Sequence, residues 1–178
     1  MKLSGLVLGT LVIGSLAVSP LQAKPTTSGM TPAEVGTLAT VATIDKNEIL
    51  IAVVALNKQL NADVMDFAKM MIDQHGGNLT QILTMINNAY PLTGGEADKL
   101  AAEGKQGLMK LGDMKGDAFA TAYVNAMVKG HEAALNLIDT RLMKTATSED
   151  VKKFLTDTRA AVAMHLEHAK KLQDKMKS

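Results

Sequence analysis

An aromatic ring, a methionine and a histidine recur at intervals of four residues in two stretches of this chain, as Phe67, Met71 and His75 and again as Tyr123, Met127 and His131. Residues four apart on an α-helix stack along one face. Each stripe continues with the same period, through Leu79 and Ile82 after His75 and through Leu135 and Ile138 after His131. Both stretches are therefore expected to be long helices that bury this face. Each histidine then points inward among core residues.

The rest of the chain supplies helices of the same kind. Thr31-Pro32-Ala33-Glu34 opens the first with a cap, a proline at the first helical position and a glutamate three residues after the cap. That helix is expected to reach about Leu60, with Val41, Ile44, Glu48, Ile51 and Ala55 on one face and Glu48 as the sole charge of the stripe. Asn61 caps the second helix, which runs from Ala62 to about Asn88 and ends at Tyr90-Pro91, because proline cannot continue the hydrogen-bond ladder. A long crossover follows from Pro91 to Gly116, with a short helix expected over Lys99 to Leu111. Asp117 caps the third long helix, which carries Phe119, Tyr123, Met127, His131, Leu135, Ile138 and Leu142 inward to about Lys144. Ser148 caps the fourth, whose inner face is Val151, Phe154, Thr158, Val162, His165, Ala169 and Leu172.

No stretch reads as a strand. The fold expected is all-α, a four-helix bundle of two helical hairpins joined by a long crossover, as in ferritin-like proteins. Residues 31–178 form this domain. Residues 1–23 read as a secretory signal peptide, with Lys2, an apolar run from Leu6 to Val18 and a cut after Ala23. Residues 24–30 read as a disordered lead-in. The apolar run is short for a membrane span, so no stable insertion is expected after cleavage. Cysteine is absent, which removes lipoprotein attachment, disulfides and thiol chemistry. The expected location is the periplasm of a Gram-negative cell, or outside the cell.

Glu48 and three histidines, one from each long helix, form the candidate site. Counted from the aligned aspartates Asp63 and Asp150, Glu48 lies 15 residues before and His75 12 after, while His131 lies 19 before and His165 15 after. At about 1.5 Å per residue the two side chains of each hairpin lie within a turn of one height, and modest sliding of the hairpins brings all four level. Three imidazoles and a carboxylate suit a single transition-metal ion, whether iron, manganese, zinc or copper. His168, one turn beyond His165, is a further candidate ligand. A dinuclear carboxylate site is not expected, because no Glu-x-x-His pair lies on an inner face. Met71, Met127 and Met164 favour copper(I) if their thioethers join, although methionine more often fills the core of a bundle. Tyr123 reads as a core ring, or as an electron carrier beside a redox metal. The metal-free alternative is a buried polar cluster in which Glu48 and a histidine share a hydrogen bond.

Several function classes fall away. The net charge of +1 gives no nucleic-acid footprint, and aromatic residues at 3% give no stacking platform. Gly-x-Ser-x-Gly is missing, Gly94-Gly95 and Gly104 lack a phosphate-loop context, and no organic cofactor is expected. The near-neutral surface identifies no protein partner, and a homo-oligomer remains compatible.

Across Met70-Met71-Ile72-Asp73-Gln74-His75, Ala126-Met127-Val128-Lys129-Gly130-His131 and His165, the chain resembles a bacterial exported ferritin-like family known as domain of unknown function 4142, often labelled an outer-membrane or periplasmic protein. The resemblance spans roughly Ala33 to Leu172. It implies a helical glutamate at Glu48 and histidines at His75, His131 and His165. It also implies an acid before each middle histidine, where this chain has Gln74 and Gly130. The reading that follows is a metal-binding exported bundle serving metal buffering or stress protection. Its alternatives are a metal-free structural or interaction protein of the envelope and a non-haem oxidase or peroxide-handling enzyme.

Overall fold

The computed structural model describes residues 29–87 and 92–177, and every regular element among them is helical. The signal-peptide reading, the lead-in up to residue 28 and the Tyr90-Pro91 stop lie outside the described residues. Four long helices, α1 (Pro32–Leu56), α2 (Ala62–Met85), α4 (Gly116–Leu137) and α6 (Glu149–Lys175), are accompanied by α3 (Glu96–Gly112). Helix α4 passes through a π-helical turn, Ile138–Leu142, into the single turn α5 (Met143–Thr145). The principal packings are α1 on α2, α4 on α6 and α3 on α1, with α2 meeting α6 and α1 meeting α4. None of these helices is long and apolar enough to cross a membrane.

The capping signals act as their residue types require. Thr31 Oγ1 accepts the Glu34 N–H at 3.2 Å while the Glu34 carboxylate accepts the Thr31 N–H at 2.8 Å. Glu34 is fully buried because it also reaches the far hairpin: its Oε1 accepts the backbone N–H groups of Thr147 at 2.9 Å and Ser148 at 2.7 Å. Asn61 and Ser148 cap α2 and α6 through the N–H groups of Val64 and Val151.

Four expected boundaries move. Helix α1 stops at Leu56 rather than Leu60, since Gln59 takes a left-handed conformation at φ 53°. Helix α2 stops at Met85 rather than Asn88, with Asn87 left-handed at φ 50°. Helix α4 starts at Gly116 after Lys115, so Asp117 lies in the first turn and favours the helix dipole there instead of capping. The crossover helix is longer than expected, Glu96–Gly112 in place of Lys99 to Leu111.

The apolar core is divided in two. One cluster gathers Ala52, Phe67, Met71, Tyr123, Met127 and Ala169, and the other gathers Val41, Ala42, Ile82, Ala134, Ile138 and Val162. Each long helix contributes to both clusters, and among their buried polar side chains are Asp45 and Glu48 on α1, His75 on α2, His131 on α4 and His165 on α6. Sequence spacing thus brings at least one acidic or histidine side chain from each long helix into the interior.

Candidate metal centre

The three inward histidines meet. His75, His131 and His165 are 4%, 2% and 1% exposed, and each offers one ring nitrogen within 4.8 Å of the other two. Their ring centroids stand 5.1 to 5.9 Å apart. Burial on this scale is ordinary for an apolar side chain but demands partners for an imidazole.

Each ring has one partner and keeps one nitrogen without any. His75 Nδ1 donates to Asp45 Oδ1 at 2.8 Å, His131 Nδ1 donates to the Met127 carbonyl at 2.8 Å, and His165 Nε2 donates to Gln74 Oε1 at 2.7 Å. These acceptors leave His75 Nε2, His131 Nε2 and His165 Nδ1 without a hydrogen-bond partner among the described residues. Burial pushes His131 down to about 4 and His165 down to about 3, with neighbouring imidazoles adding to both shifts. Both rings are neutral at pH 7, the form that binds a metal.

Asp45 escaped the sequence reading. It lies on α1, 1% exposed, and its second oxygen accepts from Asn78 Nδ2 at 2.9 Å; Thr158 Oγ1 in turn donates to Asn78 Oδ1 at 3.1 Å. Burial raises its carboxyl above the usual range, opposed by the His75 and Asn78 bonds. The available signal was its position three residues before Glu48, on the adjoining row of the same helix face. Gln74 was noted only as a departure from the family pattern, yet it orients His165.

Glu48 does not join the compact trio of ring nitrogens. Its carboxyl is buried beside them, with Oε2 unpartnered, and burial pushes its pKa up to about 7 against the pull of His75. Tyr123 lies on the same side, packed against Phe67 and Phe119, its hydroxyl also unpartnered. Burial and the nearby Glu48 carboxyl push the phenol up, so it stays protonated. Glu48, Tyr123 and the three histidines hold every buried side-chain nitrogen or oxygen found without a protein partner among the described residues.

His168 is not brought in. It is exposed on α6 and stands edge-on to Phe67, with centroids 5.1 Å apart. Met164 is 48% exposed, so its thioether does not face the interior. Met71 and Met127 belong to one of the apolar clusters.

The model of the family described as "Domain of unknown function (DUF4142)" matches residues 19–172, which includes α1, α2 and α4, all but the last three residues of α6, and Asp45, Glu48, His75, His131 and His165. The chain belongs to the DUF4142 family. No curated protein and no solved structure gives a match. In this DUF4142 protein the chemistry available is that of three buried, oriented imidazoles close together, with a carboxyl of raised proton affinity beside them. A tetrahedral ion about 2.0–2.1 Å from each nitrogen would set them about 3.4 Å apart, so no pair of nitrogens would need to close by more than about 1.4 Å to hold one.

Proposed function

We propose that this DUF4142 protein is an exported, ferritin-like four-helix bundle that binds a single transition-metal ion through His75, His131 and His165. The observation that carries the reading is a trio of buried histidines that each bring one ring nitrogen within 4.8 Å of the others, on rings that each have one nitrogen held by an acceptor and one without a protein partner. Metal-ligating histidines have this arrangement, with the outer hydrogen bond setting tautomer and basicity. Imidazole donors favour zinc, copper and iron over magnesium or calcium. The signal-like N-terminus supports a periplasmic task, and metal buffering is the one that a single site of three imidazoles fits best. Without a metal, each buried orphan atom costs roughly 1–3 kcal/mol, which disfavours a purely structural role.

Three ligands would leave one coordination position for an exogenous group, and Glu48, whose carboxyl interacts with His75, is the candidate to exchange a proton with that group. That open position is the specific support for the oxidase or peroxide-handling alternative. Elemental analysis of protein purified from the periplasm tests the main reading. One equivalent of metal, lost in the His75→Ala, His131→Ala double variant, is expected. Purified wild-type protein that contains no metal and takes up none on titration with zinc, copper(II) or iron(II) contradicts it.

A further inference from the structure

A cleft of about 330 Å³ opens between α1, α3 and α4. Two packing details create it. Helix α3 rides close to α1 because Gly104 lies directly over Asn47, where a Cβ would come within 2.3 Å, and Asn47 Nδ2 donates to the Leu100 carbonyl at 2.9 Å. Farther along, Gly107 and Gly130 line the cleft without side chains, and Gly107 has nothing within 4 Å of where a Cβ would be.

The walls are mostly hydrocarbon, from Ile44, Ile51, Leu100, Met127 and Leu137. The deepest polar group is Glu48, 9% exposed: a Cβ at Gly130 would lie 3.3 Å from its Oε1, and its Oε2 has no partner. Glu103 is the other ionisable group on the lining, at the rim, 58% exposed and 3.9 Å from Lys99. Among the described residues, no lysine, arginine or histidine lines the cleft. An anion would meet two carboxylates and no donor except the Asn47 amide, which is already committed. A cation with several N–H donors and an apolar body matches both the charge and the walls.

We infer that the α1–α3–α4 cleft is a binding site for a small amphiphilic primary ammonium compound, its head on the Glu48 carboxylate and its hydrocarbon body against Ile44, Ile51 and Leu100. This cleft contains none of the three histidines, although Glu48 lies next to them, and the inference does not rest on the metal reading. Titration calorimetry of the full chain after chelator treatment, with hexylamine, hexanol and hexanoate as probes, tests it. Saturable binding of hexylamine is expected, about tenfold tighter than hexanol, because a charge-assisted bond replaces a neutral one. Hexanoate should not bind. Gly107→Leu should fill the cleft and abolish hexylamine binding at an unchanged melting temperature. If that variant is destabilised, Ala133→Leu, from an exposed lining position on α4, replaces it. Glu48→Gln should bring the amine down to the level of the alcohol. Hexanoate binding as tightly as hexylamine, no saturation at millimolar hexylamine, or undiminished binding in a folded cleft-filling variant would overturn the inference. Retained hexylamine binding in the His75→Ala, His131→Ala variant separates this outcome from that of the metal test.

Discussion

Asp45 and Gln74 do for two of the histidines what a carbonyl of α4 does for the third: each accepts the ring N–H and leaves the opposite lone pair facing the centre. Removing such an outer partner typically weakens metal affinity by about 10- to 100-fold. Gln74→Leu is therefore expected to lower zinc affinity by about that factor, read by competition with a chromogenic chelator, with little change in the fold of α2. The lone pairs themselves destabilise the metal-free chain. His131→Leu is accordingly expected to melt at or above the wild-type temperature without metal, and to lose most of the rise that zinc gives the wild type. The pH dependence has a definite sign. His131 and His165 have folded values of about 4 and about 3 against an ordinary 6.5, so the unfolded chain takes up their protons first. Stability without metal falls as pH drops below about 6.5 and goes on falling until those lower values are reached. Glu48 acts in the opposite direction, because at about 7 its folded form binds a proton before the unfolded form does, near 4.5. Glu48→Gln removes that offset, and urea unfolding at a series of pH values should show a steeper acid decline in the variant than in the wild type.

At the level of elements, the stripes on α2, α4 and α6 were legible because each of those helices buries a single face. Val151, Phe154, Thr158, Val162, His165, Ala169 and Leu172 on α6 are all buried as their spacing requires. Helix α1 was read less well, and the reason is physical: α2, α3 and α4 all cover it, so its apolar residues spread around the axis and no one stripe stands out. A reading centred on Ile44 and Ile51, both only partly buried, passed over Asp45 and Ala52, which are buried. The π-helical turn at Ile138–Leu142 has no glycine or proline to announce it. The second oxygen of Glu34 was also beyond sequence, since its partners at Thr147 and Ser148 are more than a hundred residues away. Those backbone bonds, with that from Thr31, hold its carboxyl well below the usual carboxylate range, so its contribution is present above about pH 4.5 and is lost only as pH falls through the lower folded value. Glu34→Ala uncaps α1 and the approach to α6 together, and a loss of roughly 2–4 kcal/mol in urea unfolding at pH 7 is expected. Gly104→Ala should lift α3 from α1, since the added Cβ would meet the Asn47 side chain. Amide hydrogen exchange is expected to quicken across Glu96–Gly112 and to stay slow in α2 and α6.

For the whole molecule, the passage of each long helix through both apolar clusters, with a histidine buried on each of α2, α4 and α6, is what places the histidines together. Their convergence could be anticipated, because residue counts from the hairpin turns set the heights of His75, His131 and His165. The exclusion of Glu48 from the trio, and the hydrogen bonds that aim each ring, depend on helix rotation and were not readable from spacing. X-ray absorption of the full chain loaded with zinc tests the central claim most directly. The account predicts one tightly held ion per chain with three imidazole nitrogens at about 2.0–2.1 Å and a light oxygen ligand completing the sphere. A first shell with fewer than two imidazoles, or with zinc bound only through surface carboxylates, would contradict it.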